Sequence, residues 1–288
     1  MTDLHIVGVH GIWQGRTDSA TLTADWRGAL ARGLTRHLGP ATVIPAMTVP
    51  HYSPVFSTPR RHLGPEDAPQ EEPVGPAEEE FILETLADYA PSAPGRTESP
   101  DTLGLGLPYL PRPVLTMITR VDREAGRGVG ESLVRVIRQV FKYLHHPERA
   151  EQIRAQVLEA ASVPGTRLAI AHSLGSVVTV DLILRGQFPL AVDGKEGLTT
   201  LVTCGSPMAW PTVRRGIGQG GRTFQLPDSV EWINLYARGD AIARGRGLAA
   251  VAQDVRDVEV SNGLAEPHAV TRYLDKKAVA DAVAATTS

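Results

Sequence analysis

The chain holds one cysteine, Cys204, among 288 residues. A lone thiol excludes an intramolecular disulfide and a zinc site built on cysteines. No run of about 18 apolar residues occurs, which argues against a membrane-spanning helix. Charge of one sign is also missing. The formal net charge is −3, so bulk electrostatics point to no nucleic-acid or membrane-surface partner. The opening residues, MTDLHIVGVHGIW, have no basic start, no apolar stretch of signal-peptide length and no small-residue cleavage site. The expectation is a cytoplasmic enzyme. There is no G-x-x-x-x-G-K-[ST] pattern, hence no P-loop. Gly216 to Gly221 spell G-x-G-x-x-G, but no strand precedes them and RTFQLPD, which is not helical, follows. That context sets dinucleotide binding aside. His145 and His146 lack companion ligands, so no metal site is expected.

What is present reads as alternation of strands and helices. Residues 4–9 (LHIVGV) are short, apolar and β-branched, as a buried strand requires. Residues 22–38 carry helical spacing and stop at Gly39-Pro40. Residues 41–49 form a second candidate strand, with Pro45 restricting it to a sheet edge. Further strands are expected at 166–171, 198–203, 230–236 and 255–260. Further helices are expected at 148–161, 173–184 and 270–284. This alternation implies an α/β fold, a mostly parallel sheet of about six strands with helices on both faces. Between them the composition shifts: 13 of the 22 prolines fall at positions 50–113. An acidic cluster lies there too (Glu66, Asp67, Glu71, Glu72, Glu78, Glu79, Glu80). Helices are expected at 77–89 and, broken by glycines 126, 128 and 130, at 115–144. Residues 50–146 therefore read as an insertion within a single domain spanning 1–288.

Ala171-His172-Ser173-Leu174-Gly175 sits between the strand TRLAIA and the helix SLGSVVTVDLIL. A serine on a sharp strand-to-helix turn exposes its Oγ above the sheet edge. Such a turn needs small residues two before and two after the serine. Here they are Ala171 and Gly175; glycine at both is usual, and the alanine adds only a methyl. The backbone N–H of Leu174, at the helix start, would face an oxyanion. A simpler reading makes Ser173 an ordinary helix N-cap.

A nucleophilic serine needs a base, and the base needs an orienting acid. Only one histidine lies downstream of Ser173: His268, in the loop SNGLAEPHAV before the last helix. Among the downstream aspartates, Asp240 follows the strand VEWINLY, at the strand end where catalytic groups gather. Asp181, Asp193, Asp228, Asp254 and Asp257 are worse placed, and Glu266 is the reserve. A second oxyanion donor is expected at Ile12, after His10-Gly11 at the end of the first strand. The arginines at 238, 244 and 246 flank Asp240 and read as solvated surface, or as an attraction for an anionic substrate group.

Together these pieces resemble the α/β-hydrolase superfamily, and within it lipase-like members. The matching residues are His10-Gly11, Ala171 to Gly175, Gly205-Ser206-Pro207, Asn234-Leu235-Tyr236 leading to Asp240, and His268. The resemblance covers 1–50 and 147–288. It implies an α/β-hydrolase fold lacking the first one or two strands of larger members, and makes 50–146 a cap or lid. It implies a serine hydrolase acting on a small-molecule or lipid-like ester, with no cofactor. A serine peptidase or amidase with the same triad, and a catalytically silent interaction module, are the alternatives.

Overall fold

The structure, a computed structural model, describes residues 3–11, 18–56, 72–89, 110–192, 194–220, 223–263 and 265–287. Six parallel strands form one sheet: β1 (His5–Val9), β2 (Ala46–Thr48), β3 (Thr166–His172), β4 (Thr200–Cys204), β5 (Glu231–Ala237) and β6 (Val255–Val260). Their order is β2-β1-β3-β4-β5-β6. The chain leaves β1 for β2 on one side, then returns to β3 on the other. That reversal opens a crevice at the carboxyl ends of β1 and β3, where open α/β sheets hold their ligands. β2 is an edge strand and begins after Pro45, shorter than the 41–49 expectation, because proline cannot donate to a ladder.

Alternate side chains along the strands feed two cores. On one face Ile6, Leu168, Ile170, Val202, Ile233 and Leu235 pack under α1 (Ser19–Leu38), α8 (Val270–Leu274) and α9 (Lys277–Thr287). Asp18 caps α1 by accepting the Thr21 N–H at 2.7 Å. The helix then presents Leu22, Trp26, Leu30 and Leu34 inward at helical spacing. Burial of each such side chain stabilises the fold by roughly 1.5–3 kcal/mol. Trp26 fills the space over Gly8, where an added Cβ would lie 2.9 Å from its ring.

The single helix expected at 270–284 is two helices, broken at Asp275 and Lys276. The break lies on Gly33 of α1, where a Cβ would sit 2.8 Å from Asp275 Cα and from Leu274 O. Arg36 bonds the Asp275 carboxylate, and the His37 ring meets the Asp275 carbonyl at 3.1 Å.

The other face carries Val7, Val9, Ala169, Ala171, Leu201 and Trp232 beneath α6 (Leu174–Leu184). α6 is buried along almost its whole length and mostly apolar, so it needs cover on every side. α5 (Pro147–Ala161) and α4 (Val129–His145) supply that cover, with α2 (Pro76–Ala87), α3 (Arg112–Ala125) and α7 (Pro211–Gly216) packed beyond. The described helices of the 50–146 segment thus share one continuous core with the sheet. Two members of its acidic cluster tie its own parts together, and one of them also reaches Arg149 of α5. Glu78 pairs with Arg138 at 2.8 Å, both buried, and Glu72 bonds Arg149 at 2.7 Å and Lys142 at 3.0 Å. Those cations hold the Glu72 carboxyl down at about 2. Residues 57–71 and 90–109, with Glu66, Asp67 and Glu71, lie outside the described residues. Among the described residues no helix is long and apolar enough to cross a membrane.

Candidate active site

Ser173 stands between β3 and α6 with φ 52° and ψ −124°, a conformation that costs an L-residue about 1–3 kcal/mol. Its side chain makes no capping bond to α6, which removes the simple N-cap reading. Its backbone N–H donates to the Cys204 carbonyl at 3.0 Å, tying the turn to the end of β4. Gly175 is obligatory: a Cβ there would come within 2.1 Å of Val9 O and 2.7 Å of His10 O. The Ala171 methyl is accommodated, fully buried between Val9 and Thr203 of the neighbouring strands. Leu174 is the first residue of α6, where a backbone N–H has no intrahelical acceptor. Ser176 Oγ braces the turn from below, 2.6 Å from Ser173 O and 2.7 Å from Ser206 Oγ.

Asp240 follows β5 and is completely buried. Its Oδ1 accepts the N–H groups of Ile242 at 2.9 Å and Ala243 at 3.3 Å. Its Oδ2 accepts His268 Nδ1–H at 2.8 Å and the Tyr273 hydroxyl at 2.6 Å. Burial alone would push this carboxyl up. The charge of His268, with the hydrogen bonds from His268 and Tyr273, outweighs burial and holds it below its ordinary value. Glu266, the reserve acid, is exposed and has no bond to His268 among the described residues.

His268 lies in the loop between β6 and α8. Asn262 Nδ2 donates to the carbonyl of the preceding Pro267 at 2.8 Å. Among the described residues three buried atoms here lack hydrogen-bond partners: Asn262 Oδ1 in the loop, and Ser173 Oγ and His268 Nε2. The last two do not bond each other here. They are the nucleophile and base atoms of the expected triad, and in unliganded sites this bond is commonly long or misaligned. Gly205 packs against the acid–base pair: at φ 56°, a Cβ on it would meet Asp240 Oδ2 at 2.7 Å and His268 Nδ1 at 3.0 Å.

Two further imidazoles surround the serine. His10 is fully buried, stacks on Tyr52 at 3.9 Å, and donates from Nδ1 to Gly11 O at 2.5 Å. Its Nε2 accepts the Tyr52 N–H at 3.3 Å, and the Tyr52 hydroxyl bonds its carbonyl. Burial pushes His10 down to about 4. His172 reaches the His268 carbonyl with Nε2 at 2.7 Å. Burial, then the neighbouring His268, pushes it down to about 3. Gly11 approaches Ser173 closely, since a Cβ on it would lie 2.7 Å from Ser173 Cβ. Ile12, the other expected oxyanion donor, lies outside the described residues.

The remaining candidates fall elsewhere. Asp181 is buried in α6 against Tyr143 at 2.6 Å and Arg185 at 2.8 Å. Asp257 accepts the N–H groups of Leu248 and Ala249. Asp228 and Asp254 sit at the opposite end of the sheet, and Asp193 is outside the described residues. Arg238 pairs with Glu259, and Arg244 with Asp88. His145 stacks on Phe141 at 4.5 Å. Among the described residues no group of three or more His, Cys, Asp or Glu is placed to hold a metal. Sequence reasoning missed Tyr273 and Asn262, neither of which sits in a local motif, and it matched Gly205 within Gly205-Ser206-Pro207 without reading its contact with Asp240 and His268.

The fold and site define an α/β protein whose single parallel sheet gathers a serine, a histidine and a buried aspartate at its carboxyl edge. Comparison with protein-family models, curated proteins and solved structures finds no match for this chain.

Proposed function

We propose that this chain is a serine hydrolase of the α/β-hydrolase type, cleaving a carboxylic or lipid-like ester. One observation carries the reading. A fully buried aspartate orients an imidazole at 2.8 Å, the far nitrogen of that imidazole is left unpaired, and so is the hydroxyl of the strained serine that follows His172, whose ring lies 4.6 Å from the same imidazole. Burying polar atoms without partners costs about 1–3 kcal/mol each, and backbone strain collects at functional sites. The strand order supports the same reading, since Gly11 and Ser173 flank the crevice between β1 and β3.

In this mechanism Ser173 Oγ attacks the ester carbonyl while its proton passes to His268 Nε2. The Oγ–C bond forms, and the carbonyl oxygen takes up the negative charge facing the Leu174 N–H group. Asp240 stabilises the imidazolium without taking its proton. His268 then protonates the departing alkoxide as the C–O bond breaks. Water, deprotonated by His268, attacks the acyl-enzyme and releases the acid and Ser173. The 50–146 segment serves as the cap. It is joined to the acid loop by the Tyr89 hydroxyl on Ala241 O at 2.9 Å and by Arg244 on Asp88.

A fluorophosphonate probe tests the reading. Wild type is expected to label and Ser173→Ala to remain unlabelled. Esters of graded chain length should then be cleaved in preference to peptides. A folded wild-type protein that takes no label, or labelling that survives Ser173→Ala, overturns it.

A further inference from the structure

We infer that His172, the residue before the nucleophile, is a positioning residue that fixes the general base by donating a hydrogen bond to the His268 backbone carbonyl. The inference rests on the Ser173–His268–Asp240 reading and adds to it a part that the triad leaves unassigned. Asp240 holds His268 at one ring atom, Nδ1. One contact on a ring leaves the imidazole free to pivot about that bond. The His172 Nε2–H reaches the carbonyl of the same residue at 2.7 Å, across 96 positions of sequence. Backbone and ring of His268 are then held by different elements, β3 and the loop after β5.

The donor sits in the same turn as the nucleophile. Its own backbone is fixed by pairing with Cys204 of β4. The distance between serine and base is therefore set through one residue rather than through the whole sheet. The His172 ring is confined on several sides. The His268 ring lies 4.6 Å away at 39°, the Tyr273 ring 6.1 Å away, and Gly11 closes the Nδ1 side. His172 Nε2 faces a carbonyl, so the proton of the neutral ring is on Nε2. Burial keeps that ring neutral, so it does not oppose the positive charge that His268 acquires in the reaction.

Two substitutions separate positioning from simple packing. Glutamine places an amide N–H near the position of Nε2, whereas leucine fills the space with no donor. His172→Leu is expected to lower kcat by about 30- to 100-fold with KM held within about twofold, as a misplacement near 1 Å does. His172→Gln is expected to recover kcat to within about fivefold of wild type. A second readout does not need turnover: the far-downfield proton NMR signal of the His268 Nδ1–H bonded to Asp240. It should persist in His172→Gln and be lost or broadened in His172→Leu, at equal melting temperature. Equal kcat in the two variants, or an unchanged downfield signal in His172→Leu, overturns the inference. If wild type fails to take the fluorophosphonate label, the hydrolase reading falls, and the NMR comparison still decides whether His172 holds His268.

Discussion

The two ends of the sheet treat polar groups in opposite ways. At the amino end of β5, a cleft of about 300 Å³ is lined by Gln225, Asp228, Glu231 and Asp254 beside Val230 and Trp232. Its polar groups are paired at the surface: Gln225 Nε2 donates to Asp228 at 3.1 Å and to Asp254 at 2.7 Å, and Arg256 meets Glu231 at 3.4 Å. Exposed pairs of this kind contribute about 0–1 kcal/mol. At the carboxyl end, Ser173, Asp240, His10 and His172 are buried, and Ser173 Oγ and His268 Nε2 are left unpaired. A strained turn adds about 1–3 kcal/mol of cost. Open volume and tolerated expense therefore mark opposite ends of this sheet, and the proposed hydrolase site is at the end where the fold tolerates expense.

The sharpest way to break the contrast is at Asp240. Asp240→Asn keeps the size of the side chain but offers His268 Nδ1 an amide in place of a carboxylate. The imidazole then loses its orientation and its charge partner. Ester hydrolysis is expected to fall by about 10³- to 10⁴-fold, measured as kcat/KM with binding of a product acid as the control for folding. Loss of less than about tenfold would place the catalytic acid elsewhere.

Acid should expose the same contrast thermodynamically. His10 and His172 are held near 4 and 3 by burial, so the unfolded chain takes up protons near 6.5 that the folded chain refuses. Stability is then lost as pH falls from 6.5 towards those values, by about 2 kcal/mol from each histidine at pH 5. His5, also lowered by burial, acts in the same direction. The depressed Asp240 works in a lower window. Its stabilisation is present above the ordinary carboxylate value of 3.8 and disappears only as pH drops below it. Denaturant unfolding between pH 7 and 5 checks this, and His172→Gln should remove about 2 kcal/mol of the loss at pH 5. A flat stability profile over that range would mean that these rings are solvated.

Much of this arrangement was legible before any coordinates. Strand β6 runs over the expected 255–260, and the chain order serine, aspartate, histidine pointed to Asp240 and His268, which are in fact bonded. What escaped has a common physical cause. The break at Asp275 is imposed by the backbone contact with Gly33, 242 positions away, which no local periodicity reflects. Amphipathic spacing in α3 and α4 announces a buried face but not the partner, so their shared core with the sheet could not be read. Tyr273 looks like any core aromatic in a helix until its hydroxyl is found 2.6 Å from Asp240. Gly205 has a meaning only once Asp240 and His268 stand beside it.

Those late-found residues give the intermediate effects. Gly205→Ala should destabilise by about 2–3 kcal/mol, from its φ of 56° and the contact with Asp240, and should cost activity as well. Tyr273→Phe leaves the Ala237 N–H without its 3.2 Å acceptor and Asp240 Oδ2 with one donor fewer. The expected loss is about 1–2 kcal/mol in denaturant unfolding, with hydrolysis reduced less than tenfold because His268 keeps its bond.

The smallest expected effect lies at the other end of the sheet. Gln225→Ala removes both exposed bonds to Asp228 and Asp254. Water can take the place of the lost amide at each carboxylate, so the folded state gives up little that the unfolded state lacks. Stability should change by less than about 0.5 kcal/mol, and kcat and KM should stay at wild-type values. If Gln225→Ala instead lowered kcat, the cleft at the amino end would have to be coupled to the serine through β5, and the division of labour between the two ends would fail.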